Sequence, residues 1–84
     1  MPLYMDVHRH VDATLDEVRE AHERDLEVQA RYDVDYKKYW VDDETGTIFC
    51  LFEAPSKEAG TSVHDEAHGL TTDEIYRVVD GDAL

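Results

Sequence analysis

Thr47-Ile48-Phe49-Cys50-Leu51-Phe52-Glu53-Ala54-Pro55 is the stretch that decides the fold. Its apolar residues occupy both parities, so a strand built from them is covered on both faces. Pro55-Ser56 ends the run and opens a helix that stops near His68-Gly69, where Gly69 suits the turn past a helix C-terminus. Upstream, Asp42-Asp43-Glu44-Thr45-Gly46 is a polar loop containing a glycine, and Val34 to Val41 before it is strand-like. The two runs read as a hairpin.

Further out, Leu3 to His10 alternates. Leu3, Met5 and Val7 fall on one side, and Tyr4, Asp6, His8 and His10 on the other. Thr14 with Glu17 forms a capping box, predicting a helix that runs to about Tyr32. Its apolar positions Leu15, Val18, Leu26 and Ala30 recur at helical spacing, and Asp33 suits the left-handed stop. Ile75 to Val79 closes the chain as a short strand.

The order βαββαβ predicts one α+β domain over residues 1–84. Its plan is ferredoxin-like, with two helices on one face of a four-stranded antiparallel sheet. The first and third strands then lie in the centre. The other sheet face is left open, yet the third strand is apolar on both sides. A second copy of the chain is the simplest cover, which predicts a homodimer through the open face.

Eighty-four residues bury only a modest core. Folds of this size depend on a disulfide, a metal or a partner subunit. Cys50 is the sole cysteine, so no disulfide forms within the chain. The N-terminus shows neither a basic leader nor a long apolar segment, which predicts a cytoplasmic protein with no membrane span. With 21 Asp and Glu against 8 Lys and Arg, the net charge is −13. Nucleic acid and anionic membranes are repelled by such a surface, whereas cations gather near it. Most of these carboxylates are explained by solubility alone.

The five histidines are His8, His10, His22, His64 and His68, and imidazole suits nickel, zinc and copper. His8 and His10 are two apart on a strand and share a face. If Leu3, Met5 and Val7 pack under the helices, that face is the open one; the pair are then ligands or two solvated side chains. His64 and His68 are one helical turn apart, flanking the stripe of Ala59, Val63, Ala67 and Leu70. They ligate a metal, or complement the helix C-terminus as boundary residues.

His64-Asp65-Glu66-Ala67-His68 is not a zinc-protease motif, because no Glu follows the first histidine directly. His22 lies beside the apolar stripe of the first helix, a position more often taken by a core histidine than by a ligand. Cys50 is a buried hydrophobe or, with the first strand adjacent, a ligand near His8. Tyr32, Tyr36, Tyr39 and Trp40 line a pocket or simply pack. No phosphate-binding glycine loop and no nucleophile elbow is present.

Tyr4-Met5-Asp6-Val7-His8, Ala21-His22, Tyr39-Trp40, Phe49-Cys50-Leu51, Glu53-Ala54-Pro55, Val63-His64 and Glu66-Ala67-His68-Gly69-Leu70 stand in a specific order. Together they resemble the small ferredoxin-like, nickel-responsive proteins of Streptomyces and related actinobacteria. The resemblance covers nearly the whole chain. It implies a dimer that binds several nickel ions through His8, His22, Cys50, His64 and His68, and His10 falls outside its runs. Tyr32-Asp33-Val34 departs from the expected Tyr-Gly-Val, which touches a helix stop and not a ligand.

A two-fold dimer doubles the histidines at its interface, so three per subunit would complete a six-donor site, with Asp6 or water filling a smaller set. The expected function is nickel buffering or sequestration without catalysis, zinc or copper being alternative ions. One rival is a dimeric α+β barrel enzyme using His8 or His22 as acid and base. A second is an acidic interaction module whose histidines are incidental.

Overall fold

The computed structural model describes all residues, Met1 to Leu84. Six main elements follow one another: β1 (Leu3–His8), α1 (Leu15–Val28), β2 (Asp35–Asp42), β3 (Thr47–Glu53), α2 (Lys57–Ala67) and β4 (Glu74–Val78). Short 3-10 turns span Gln29–Tyr32 and Gly81–Ala83. The sheet order is β2-β3-β1-β4 with every neighbour antiparallel, so β1 and β3 are central, as expected for the ferredoxin-like plan.

Local signals set the element ends. Glu17 N donates to Thr14 Oγ1 at 3.1 Å and Thr14 N to Glu17 Oε1 at 2.9 Å, closing the capping box. Asp33 takes φ 58° and ends the first helical segment, while Gly69 takes φ 76° beyond α2. Ser56 caps α2 by accepting from Ala59 N.

Register places residues in rows across β1, β3 and β2: Tyr4–Phe52–Tyr36, Asp6–Cys50–Tyr39 and His8–Ile48–Val41. These rows face the helices, where Tyr4, Tyr36, Ile48, Cys50 and Phe52 form one core with Val18 and Val63. The expected alternation of β1 is correct, but its assignment to faces is reversed. Tyr4, Asp6 and His8 point under the helices, and Leu3, Met5 and Val7 point to the open side. The reason lies in partners: buried Asp6 and His8 need hydrogen bonds, and α2 and the segment after it supply them. Because β3 is apolar on both faces, either face of the sheet can be covered, and the apolar side of β1 need not be the one under the helices.

Two further expectations change. β1 stops at His8, and His10 turns away into a left-handed conformation with φ 55°. On α1, Leu15 and Leu26 are exposed (59% and 43%), and the buried face is Val18, Ala21 and Asp25. An aspartate therefore occupies the inward stripe.

A bulge between Tyr36 and Lys38 gives β2 one extra residue against β3. Without it, Tyr36 and Tyr39 would face opposite sides; with it, both face the helices. Trp40, opposite Phe49, lands on the open face and is 42% exposed. On the helix side, Gly60 lets α2 approach β3 closely. A Cβ there would lie 2.5 Å from the Phe52 ring.

Candidate metal centre

Four elements deliver the site. β1 contributes Asp6 and His8, β3 contributes Cys50, and α2 contributes His64, with His68 just past its end. On the opposite wall α1 contributes Asp25 and His22. Asp6, His8, Asp25 and His64 are buried, with Asp6 at 0% and His64 at 1% exposure. Ionisable groups are rarely buried unless paired, so this concentration calls for a specific arrangement.

His64 is the hub. Its Nε2 lies 2.8 Å from Asp6 Oδ2 and 3.0 Å from the Tyr36 hydroxyl. Its Nδ1 lies 2.9 Å from Asp25 Oδ1 and 3.1 Å from His68 Nε2. His68 Nε2 is also 3.0 Å from Asp25 Oδ1. His8 donates through Nδ1 to the Thr71 carbonyl at 2.9 Å and places Nε2 3.1 Å from Asp6 Oδ1. That last contact has ion-pair distance but poor hydrogen-bond alignment, which leaves Asp6 Oδ1 without a donor.

The charges reinforce one another. Burial alone would lower His8 and His64, but the groups beside them, carboxylates foremost, outweigh it. Asp6, then Cys50, raise His8 to about 10. Asp25 and Asp6 raise His64 to about 12. Burial alone would raise Asp6 and Asp25, yet their histidine partners hold both below the usual carboxylate value. Without a metal the cluster therefore carries two imidazoliums against two carboxylates, a neutral buried network. Tyr36 is held protonated, pushed up by burial and by Asp6 and Asp25.

A cavity of about 20 Å³ lies among His8, His22, Asp25, Cys50, His64 and His68. That is room for one water-sized sphere. Two overlapping donor sets adjoin it, and of their members only Asp6 lies outside its lining. Asp6, His8, Cys50 and His64 form one, and Asp25, His64 and His68 the other; within each set one donor atom per residue lies within 4.8 Å of the rest. Nitrogen, carboxylate oxygen and thiolate sulfur together suit a divalent transition metal.

Among the histidines expected to ligate, the structure gathers His8, His64 and His68, together with Asp6 and Cys50. His22 borders the same cavity but belongs to neither donor set. Its ring stacks on Tyr39 with centroids 4.4 Å apart, and its buried Nδ1 has no partner. His10 is not brought in. It is exposed and lines an open cleft with Asp12, Asp43 and Glu44. His8, His22, His64 and His68 lie on the helix side of the sheet, so contrary to expectation a dimer through the open face would not bring those four together across its interface. Asp25 and Tyr36 were not singled out as site residues from sequence. Asp25 follows Val18 and Ala21 at helical spacing, which was the available signal; Tyr36 needed the bulge.

Residues 4–78 match the family described as "Nickel responsive protein SCO4226-like". The chain belongs to this family. The crystal structure of SCO4226 from Streptomyces coelicolor A3(2) superposes with a TM-score of 0.84 at 43% identity, covering 90% of this chain and 94% of that one. No curated protein sequence matches the chain significantly. The family match and the fold agree with the resemblance drawn from the motifs.

Proposed function

We propose that this chain binds a divalent transition metal, nickel foremost, in the buried histidine–carboxylate cluster, and buffers or sequesters the ion without catalysing a reaction. The observation that carries this reading is the convergence of buried imidazole, carboxylate and thiol donors on a cavity of single-ion size. The family's description as nickel responsive supports nickel over other ions. Zinc and copper compete, since affinity for such donors rises toward copper across the first row.

A second copy is proposed to cover the open face, where Met5, Phe49, Leu51, Trp40 and Tyr76 form an apolar surface by register. That dimer adds burial to a short chain and leaves each metal centre within its own subunit. No helix is long and apolar enough to cross a membrane. A cytoplasmic setting is supported by the single, unpaired Cys50. The net charge of −13 argues against nucleic acid and anionic lipid as partners.

Native mass spectrometry of the metal-stripped protein, titrated with nickel, zinc and copper, tests the reading. A defined, saturable number of nickel ions per chain is expected. Absence of saturable uptake would refute it.

A further inference from the structure

We infer that Leu70 is a gate: it swings outward between Gly69 and Thr71 to let an ion pass from an outer cleft into the buried cavity. This rests on the metal-binding reading above and adds the path by which the site fills and empties. The donors are sealed from solvent, with His8, Asp25 and His64 at 2%, 2% and 1% exposure. The cavity of about 20 Å³ has room for one water-sized sphere, so a hydrated divalent ion enters only if a wall moves.

The walls are not equally fixed. The sheet side is held by the ladder of β1, β2 and β3, and the α1 side by a helix whose first turn is closed by the capping box. His64 stands inside α2. Of the residues lining the cavity, His68 and Leu70 alone lie outside every helix and strand.

Beyond that pair lies solvent. An open cleft of about 560 Å³, between the β1–α1 loop and the segment after α2, shares His68 and Leu70 with the cavity. His10, Asp12 and Asp73 stand at its sides, and the charge of Arg9 there is met by Glu74. A second cleft, of about 500 Å³, shares only Val18 and Ile48 with the cavity, and both are locked in α1 and β3. The wall without regular structure is therefore also one that divides the donors from an open cleft.

Hydrogen bonds show where this wall bends. His68 N and Gly69 N both donate to the His64 carbonyl, at 3.0 and 2.8 Å, which ties the near end to α2. The Thr71 carbonyl accepts from His8 Nδ1 at 2.9 Å, and Asp73 N donates to the Val7 carbonyl at 2.9 Å, which ties the far end to β1. Between these ties the main chain of Leu70 makes a single hydrogen bond, from its N–H to His68 Nδ1 at 3.1 Å. Opening the gate thus breaks one hydrogen bond and exposes a half-buried leucine. Gly69, at φ 76° with nothing within 4 Å of a Cβ placed on it, pivots without a clash.

A gate touches the path and not the bound or free state, so it changes uptake and release by one factor and leaves Kd in place. Stopped-flow uptake of nickel by the metal-stripped full chain, and release into excess chelator, test it. Leu70→Ala should speed both by roughly tenfold, the factor for about 1.4 kcal/mol of leucine burial lost from the closed form, with Kd unchanged. Val18→Ala, which thins the wall toward the second cleft and loosens the core, should leave both rates as they are. Unaltered rates in Leu70→Ala, or rates raised as much by Val18→Ala, overturn the gate and leave metal binding intact. Faster release alone, with a weaker Kd, makes Leu70 a support of the bound state and also overturns the gate. No nickel uptake by the parent chain overturns both readings. Should Leu70→Ala fail to fold, amide exchange in the unaltered protein decides. Leu70 N–H should exchange through an opening that leaves Asp73 N–H protected, and equal protection of the two overturns the gate.

Discussion

Nickel loading near pH 7 should release at least two protons per ion, and this follows from the charge state of the buried histidines. His8 is raised to about 10 and His64 to about 12 from an ordinary 6.5. Both therefore enter the reaction as imidazoliums, and each must surrender a proton to offer a lone pair. Apparent affinity should climb about 100-fold per pH unit above neutrality, easing to about tenfold once His8 titrates near 10. Calorimetry in two buffers of different ionisation enthalpy gives the proton count as the slope of heat against buffer enthalpy. A count near zero would refute the reasoning, since it means the histidines are already neutral or do not ligate.

The same shifts fix the sign for the metal-free fold. Raised histidines stabilise it fully below 6.5, and this contribution is lost as pH rises through their folded values. Lowered Asp6 and Asp25 stabilise it above 3.8, and theirs is lost as pH falls. Stability of the stripped protein should therefore peak between pH 3.8 and 6.5, while metal affinity is best above that window. Denaturant melts across the range check this.

Other substitutions separate folding from binding. Gly60→Ala puts a methyl 2.5 Å from the Phe52 ring, so it should destabilise by about 1–3 kcal/mol in thermal melts. A melt unchanged from the parent would mean α2 shifts freely. His64→Ala strands the buried Asp6 and Asp25 carboxylates; it should abolish nickel uptake and also destabilise by about 3–5 kcal/mol. Loss of uptake with full stability would show that His64 is not the charge hub. Leu51→Asp, on the open face, should yield a monomer by analytical ultracentrifugation with nickel affinity retained. Persistent dimer would place the interface elsewhere.

Much of the fold was legible because its signals are local. The Thr14–Glu17 box, the Asp33 and Gly69 stops and the order of elements all follow from short-range chemistry, and the structure keeps them. The candidate site was only partly legible. Asp6, His8, Cys50, His64 and His68 are residue types that bind metals, so they could be named from spacing and from the family's motifs. His10 was named on the same strand parity and lies outside the centre, because β1 ends two residues earlier. Asp25 was hidden in a helical stripe whose apolar members, Leu15 and Leu26, turn outward.

Sequence by itself determined the ferredoxin-like topology, the absence of an internal disulfide and a short list of donors. Tertiary structure alone decided which face of β1 is inward, since the side carrying Asp6 and His8 can be buried only where distant segments supply hydrogen-bond partners. It also set Tyr36 and Tyr39 on one side through a single bulged residue. Above all it fixed how the imidazoles of His8, His64 and His68 are oriented. That orientation depends on a carbonyl at Thr71, an amide at Leu70 and a carboxylate at Asp25. The Thr71 carbonyl and Asp25 are far along the chain from the imidazoles they orient, and the Leu70 amide reaches His68 only through the turn at Gly69.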